Sequence, residues 1–521
     1  METSPHNPPM NKWVAAGIVM IGIFIALLDA TIVDIVLPKM MSSLNTDTYG
    51  VQWVVISYLT AAAIAMTSVE WLGAKLGHRN TYLVGLIIFT FFSILCGQAN
   101  SITLMNISRF MQGLGEGIIV PIGMTILCEV FPDEERGAAL GVYGLGASCA
   151  PALGPTLGGI ITEHLSWRWI FYVNVPIGII GIFLTIVLLR ETSPEQEKAR
   201  TFDLPGFLTM AIAFGALITF LSKGQEKGWL QSDYILGLIT VFLISFPLFI
   251  IIQFKRKEPL FDLRVFRYRD FTLSFTCMFI FSMSIYGIFL LIPMYLERFR
   301  QFTTLTSGLT MLPGSILAGF GVLASGILSD KYSPKKLFLA SSALMIIACW
   351  NLSSIDLYTE RSTVIWFWLF WNVPMAFCFP PIQQIGFNEV PREKLNLVSC
   401  AQNVSRLLAG SIGTAIAVTI MERRADSYFE SFGKYISYGN SASMNTVREL
   451  SAYLYFQGTP QLLLEKKGLK MLELFTTAKA YSYAIQSGIM WLGLIVIAVV
   501  ALGFFVREPN RNNGAVKLPV H

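Results

Sequence analysis

The chain has 521 residues, of which 54% are hydrophobic, 13% aromatic and only 14% charged, where a soluble domain carries about 25% charged residues. So little charge excludes a water-exposed globule of this size, and the mean hydropathy of +0.59 points to lipid as the solvent for most of the chain. The net charge is only +5, with no block of like charge to engage nucleic acid, and seven cysteines without a CxxC pair indicate neither a disulfide framework nor a metal site.

Taking about 20 apolar residues as one membrane span, the first run extends from 13 to 37. It exceeds the 7 to 15 residues of a signal-peptide core and reads as a retained span. Further runs follow at 51 to 70, 81 to 98, 102 to 126, 137 to 161 and 169 to 189, which completes six. Two more lie at 204 to 221 and 234 to 253. A second group of six occupies 271 to 295, 305 to 328, 337 to 352, 363 to 387, 397 to 420 and 484 to 506. The expected fold is therefore all-α and integral to the membrane, with 14 transmembrane helices.

Lys and Arg in short loops set orientation. With the N-terminus cytoplasmic, inside segments hold 21 of them and short outside loops only seven. Both termini are expected in the cytoplasm. The cytoplasmic loops EWLGAKLGHRN (70 to 80) and GILSDKYSPKK (326 to 336) occupy corresponding places and form a weak internal repeat, as transporters built from duplicated halves show. The organisation expected is a six-helix half (1 to 190), a two-span insert with cytoplasmic linkers (191 to 270), a second six-helix half (271 to 507) that includes an external loop at 421 to 483, and a cytoplasmic tail (508 to 521). The external segment is expected to carry amphipathic helices. It is either a docking surface or a spacer packed on the outer face.

Ionisable side chains inside a span are costly and need a partner or a wet cavity. Asp29 and Asp34 lie in span one, Arg109 and Glu116 in span four, and Arg406 in the eleventh span of the twelve-span core. Counted from the outer ends of their helices, Asp29 and Arg109 lie about 12 to 14 Å deep at 1.5 Å per residue, level with each other. The pair reads either as a static tie between helices or as part of a proton relay. Arg109, Gln112 and Glu116 fall on one helix face and make it a polar stripe. Asp34 sits near the outer interface, within easy reach of water. The glycines of GLGASCAPALGPTLGG in span five suit either a kinked packing face or a hinge.

Several motifs together, LLDATIVDIVLP, RFMQGLGEG, FPDEERG, GPTLGG, WRWIFYVNVPIG and RLLAGSIGTA, resemble those of the fourteen-span drug-proton antiporters of the major facilitator superfamily, the EmrB/QacA type. The resemblance covers nearly the whole chain. It implies the fold of that superfamily, with proton coupling through Asp29, Arg109 and Glu116, and a substrate cavity that includes Asp34, Gln112, Asn403 and Arg406. It also implies an antiporter motif at Gly154, Pro155, Gly158 and Gly159, and a cytoplasmic latch at Gly77, Arg79, Asp330 and Lys331. The first copy of the latch departs from the pattern at Glu70 and Ala74, so the Asp330 copy is the more intact.

The activity implied is proton-coupled multidrug efflux of amphipathic or aromatic compounds across the inner membrane of a bacterium, by alternating access and without a cofactor beyond the proton gradient. The partners expected are membrane lipid, a small-molecule substrate and, in a two-membrane cell, a periplasmic adaptor leading to an outer-membrane channel. A dedicated exporter of one metabolite or siderophore shares every motif. An integral-membrane enzyme would need an interfacial His or Asp constellation, which the sequence does not offer.

Overall fold

In lipid the backbone has no water to bond with, so a spanning chain of this composition closes its hydrogen bonds within helices. The computed structural model describes residues 11 to 507 apart from 34, 35, 47, 133, 134, 192 to 201, 225, 257, 258, 260, 392, 393, 435 to 440 and 457 to 459. The described residues form helices and short connections. The first half contains α1 (Lys12–Ile32), short α2 (Leu37–Ser43), α3 (Thr48–Leu76), α4 (His78–Gln98), α5 (Ile102–Val130), α6 (Arg136–His164), one-turn α7 (Trp169–Tyr172) and α8 (Asn174–Val187). The insert is α9 (Leu204–Lys223) and α10 (Asp233–Lys255). The second half contains α11 (Arg269–Met294), α12 (Thr304–Lys331), α13 (Pro334–Leu352), α14 (Arg361–Asn388), α15 (Leu395–Gly433), α16 (Ser441–Phe456) and α17 (Leu464–Phe504).

Local sequence explains several of these boundaries. Asn11, Ser101, Asp203 and Ser333 each accept a hydrogen bond from an amide in the first turn of α1, α5, α9 and α13, and Pro205 and Pro334 occupy first-turn positions where no amide is needed. Gly77 separates α3 from α4 with φ of 81°. That conformation favours glycine, and an added Cβ there would also lie 2.3 Å from the Glu191 carboxylate.

Thirteen helical stretches among the described residues are long and apolar enough to cross a bilayer, and they match thirteen of the expected spans. The remaining expected span, 137 to 161, falls on α6, whose 29 residues reach about 43 Å at 1.5 Å each. Two expectations change. Span one does not run unbroken from 13 to 37, because α1 ends at Ile32 and Pro38 opens the separate α2. The segment 421 to 483 is not one external loop. α15 continues to Gly433 over 39 residues and α17 begins at Leu464 and runs for 41. At about 58 and 62 Å both exceed the roughly 30 Å hydrocarbon core, so they project beyond the membrane as continuous rods with α16 against α17.

α3, α4 and α5 pack together in the first half with α1 against α6, and α11 packs against α14, α15 and α17 in the second. The halves meet where α6 lies along α12 and where α15 lies against α3 and α5. At the first contact a Cβ on Gly326 would sit 2.1 Å from the Gly137 carbonyl oxygen, so only glycine admits this approach. α9 touches both α3 and α15, with α10 packed on α9. The insert therefore lies across the seam. Its flanking residues bind both sides, Phe202 against the Trp71 ring at 4.8 Å and Asp262 to Lys394 Nζ at 2.8 Å.

Candidate functional site

A fully buried polar cluster is built from α1, α3, α4, α5 and the α7–α8 junction. Asp29 and Arg109 are both fully buried. Arg109 Nη1 donates to Asp29 Oδ2 at 2.5 Å and to Gln112 Oε1 at 2.9 Å, and its Nε donates to the Val54 carbonyl at 3.2 Å. The guanidinium lies over the Tyr58 ring, 3.8 Å from its centroid, which adds a cation–π contact in a dry setting. Asp29 Oδ1 accepts from Asn174 Nδ2 at 2.6 Å. Ser93 Oγ joins the circuit by accepting from Asn174 and Gln112, each at 3.2 Å, while donating to the Phe171 carbonyl. Both Asp29 oxygens are thus held, and a buried ion pair is tolerable only with such support. Among the described residues Arg109 Nη2 has no hydrogen-bond partner.

Gln112 joins the pair as the polar stripe implies. Glu116, one turn further along α5, is 5% exposed, and its Oε2 lacks a hydrogen-bond partner among the described residues. It lies within electrostatic reach of Tyr58, Asp29, Arg109 and Arg406, which links the first-half cluster to the second half. Arg406 is buried, and its Nη2 donates to Asn403 Oδ1 at 3.2 Å. The same oxygen accepts from the Tyr143 hydroxyl of α6 at 2.7 Å. Ser399 Oγ donates to the Pro121 carbonyl of α5 at 2.7 Å. Asn403 and Arg406 therefore belong to a polar seam between the halves.

Asp330 closes the seam at one end. Its Oδ1 accepts from the Gly137 amide at 2.8 Å and from Gln384 Nε2 at 2.9 Å, and its Oδ2 accepts from the Ala138 amide at 2.9 Å. A carboxylate of the second half thus occupies the N-terminus of a first-half helix, where free amides and the helix dipole favour negative charge. Lys331 follows it at the end of α12. Gly77 and Arg79 make a different connection. Arg79 donates to the Thr185 and Ile186 carbonyls of α8, and Glu191 accepts from the His78 amide at 2.7 Å. These bonds stay within the first half or its exit, and Ala74 stands where the repeat puts Asp330, so this copy has no carboxylate at the corresponding position.

In the antiporter motif, Cβ atoms added to Gly154 and Gly158 would lie 2.3 Å from Thr31 Oγ1 and 3.0 Å from Ile32 O. This brings α6 against α1 three residues past Asp29. Gly159 is on the same turn of α6, the Pro155 side chain falls outside the description, and Asp34 lies outside the described residues. Sequence reasoning missed Asn174, Ser93 and Tyr58. Asn174 is the one polar residue in the stretch VNVPIG, a signal that could have marked it. Ser93 and Tyr58 carry no pattern that singles them out.

A family model described as the Major Facilitator Superfamily matches residues 19–414. The uncharacterized MFS-type transporter YhcA of Bacillus subtilis is 28% identical over 527 residues, covering 98% of this chain and 96% of YhcA. The multidrug export protein EmrB of Escherichia coli is 28% identical over 403 residues, covering 77% of this chain and 78% of EmrB. The human organic anion transporter MFSD10 shares the fold with a TM-score of 0.59 at 12% identity, over 95% of this chain and 100% of that one. With two helical halves around buried charges and a family match over most of its length, the chain belongs to the major facilitator superfamily and is a multi-pass membrane transporter rather than an enzyme.

Proposed function

We propose that the protein exports amphipathic or aromatic compounds across the cytoplasmic membrane of a bacterium, driven by protons that return inward, with both termini in the cytoplasm. The observation that carries this reading is the fully buried Asp29–Arg109 pair, supported by the similarity to a relative named for multidrug export. A proton that binds Asp29 cancels the charge that holds Arg109. Arg109 then keeps Gln112, the Val54 carbonyl and the Tyr58 face, so the contacts joining α1, α5 and α8 loosen without stranding the guanidinium. Coupling follows if proton and substrate favour different access states, because each ligand shifts the equilibrium only by its differential affinity.

In this reading the end carrying Asp330 is cytoplasmic. The bonds at Asp330, Ser399 and Asn403 deny access from that side, and loading of substrate requires them to part. Glu116, facing both Arg109 and Arg406, is the group through which a cationic substrate or a second proton acts. The projecting ends of α15 and α17 with α16 form the surface offered to an adaptor in a two-membrane cell.

The test is uptake into everted vesicles by Asp29→Asn, across a panel of compounds and with or without a proton gradient. The variant should insert normally and lose gradient-driven transport. Wild-type coupling by Asp29→Asn would refute the assignment.

A further inference from the structure

At the end of the bundle opposite Asp330, α15 and α17 enclose a surface cavity of about 410 Å³, lined by Ile420, Arg423, Arg424, Ser427 and Trp491. Its lining holds two guanidinium groups and no carboxylate. Among the described residues neither arginine has an ion-pair or hydrogen-bond partner, and both are exposed. The neighbouring Glu422 is engaged by the Tyr481 hydroxyl at 2.7 Å, and Asp426 is exposed on the next turn. Two guanidiniums and a serine hydroxyl lining one cavity are the chemistry that binds a phosphate, because each planar guanidinium fork can bond two oxygens at once.

Depth decides where that phosphate comes from. Counted from Arg507 along α17, Trp491 stands about 24 Å up at 1.5 Å per residue. It is therefore just inside a hydrocarbon core of roughly 30 Å. The arginines line the cavity from α15, beyond the last uncharged stretch of that span, which ends at Met421. This is the level of lipid headgroups, where tryptophan is enriched. From Trp491 in the cavity wall, an exposed apolar stripe continues along α17 through Leu494 and Ile497, with Met490 beside it, and acyl chains can lie along it.

We propose that this cavity binds the phosphodiester headgroup of an anionic phospholipid in the leaflet at that end of the bundle. Arg423 and Arg424 bond the phosphate oxygens, Ser427 donates to the headgroup, and Trp491 and Ile420 pack the glycerol and upper acyl chain.

The test is native mass spectrometry of the full-length protein, titrated with phosphatidylglycerol or phosphatidylcholine, with inorganic phosphate as competitor. Each basic residue near an anionic lipid surface contributes about fivefold, so Arg423→Gln combined with Arg424→Gln should weaken phosphatidylglycerol binding about thirtyfold. The double lysine variant should keep the preference for phosphatidylglycerol over phosphatidylcholine, and Arg448→Gln, an exposed arginine on α16, should leave affinity unchanged. An unaltered monodisperse profile and melting temperature establish that the variants fold. Equal affinity in the double glutamine variant overturns the proposal. So does an equal loss in Arg448→Gln, which would mean general charge attraction, or displacement of the lipid by an equimolar amount of inorganic phosphate, which would mean a free-anion site.

Discussion

Arg109 tolerates full burial because three of its five N–H donors reach Asp29, Gln112 and the Val54 carbonyl and the Tyr58 ring covers its face. The sequence shows why a partner is needed and that Asp29 is level with it. It does not show Asn174, which arrives from another helix, 145 residues away, to hold the second carboxylate oxygen. A hydrogen bond to a charged group contributes about 1.5 to 3 kcal/mol. Asn174→Ala should therefore lower the stability of the detergent-solubilised protein by that order, visible as a lower melting temperature, and slow gradient-driven efflux. An unchanged melting temperature would mean that Asp29 is supported without it. Asp262 is a case outside the membrane. Burial alone would raise its carboxyl, but Lys394 at 2.8 Å and the Arg264 amide hold it below the usual range. A depressed folded-state pKa stabilises at pH above the unfolded value, near 3.9, and that stabilisation fades as pH falls through the folded value. The tie between insert and second half therefore stands at neutral pH.

At the level of elements, the contact of α6 with α12 depends on backbone proximity. Gly137 and Gly326 face each other, and each added Cβ would meet the opposing carbonyl oxygen, at 2.3 and 2.1 Å. That approach lets Asp330 reach the amides at the start of α6. Overpacking a close contact costs about 1 to 3 kcal/mol, so Gly326→Val should reduce the population tied at this end about tenfold. Spectroscopic distances between probes at the start of α6 and the end of α12, beside Asp330, report the change. An unshifted distance distribution in a well-folded Gly326→Val would show that the contact does not govern closure. α15 and α17 teach a different lesson: hydropathy marks where a helix meets lipid but not where it ends, since past Met421 and before Tyr481 the polar residues simply continue the same helices into water.

The whole molecule has two halves tied at one end by Asp330, Ser399 and Asn403, and an insert that binds both. Orientation follows from charge outside the spans. On a background with the seven native cysteines replaced, a cysteine at Ser431, exposed near the end of α15, should react with an impermeant reagent in intact cells. One at Arg256, exposed after α10, should react only after permeabilisation. The reverse pattern would invert the topology and with it the direction of transport proposed here.

Length, apolar runs and the placement of Lys and Arg by themselves determined the lipid environment, the helical class, most of the span positions and the identity of the buried charges, because burial in lipid leaves a chain few ways to satisfy its backbone. The tertiary structure alone decided which groups meet: that Asn174 and Ser93 complete the Asp29–Arg109 circuit, that Asn403 and Arg406 belong to the seam, that Asp330 rather than the Gly77–Arg79 loop bridges the halves, and that α15 and α17 run on as rods. Those facts depend on contacts between residues far apart in the chain, set by helix packing and by which glycines allow close approach, and local periodicity carries no record of them.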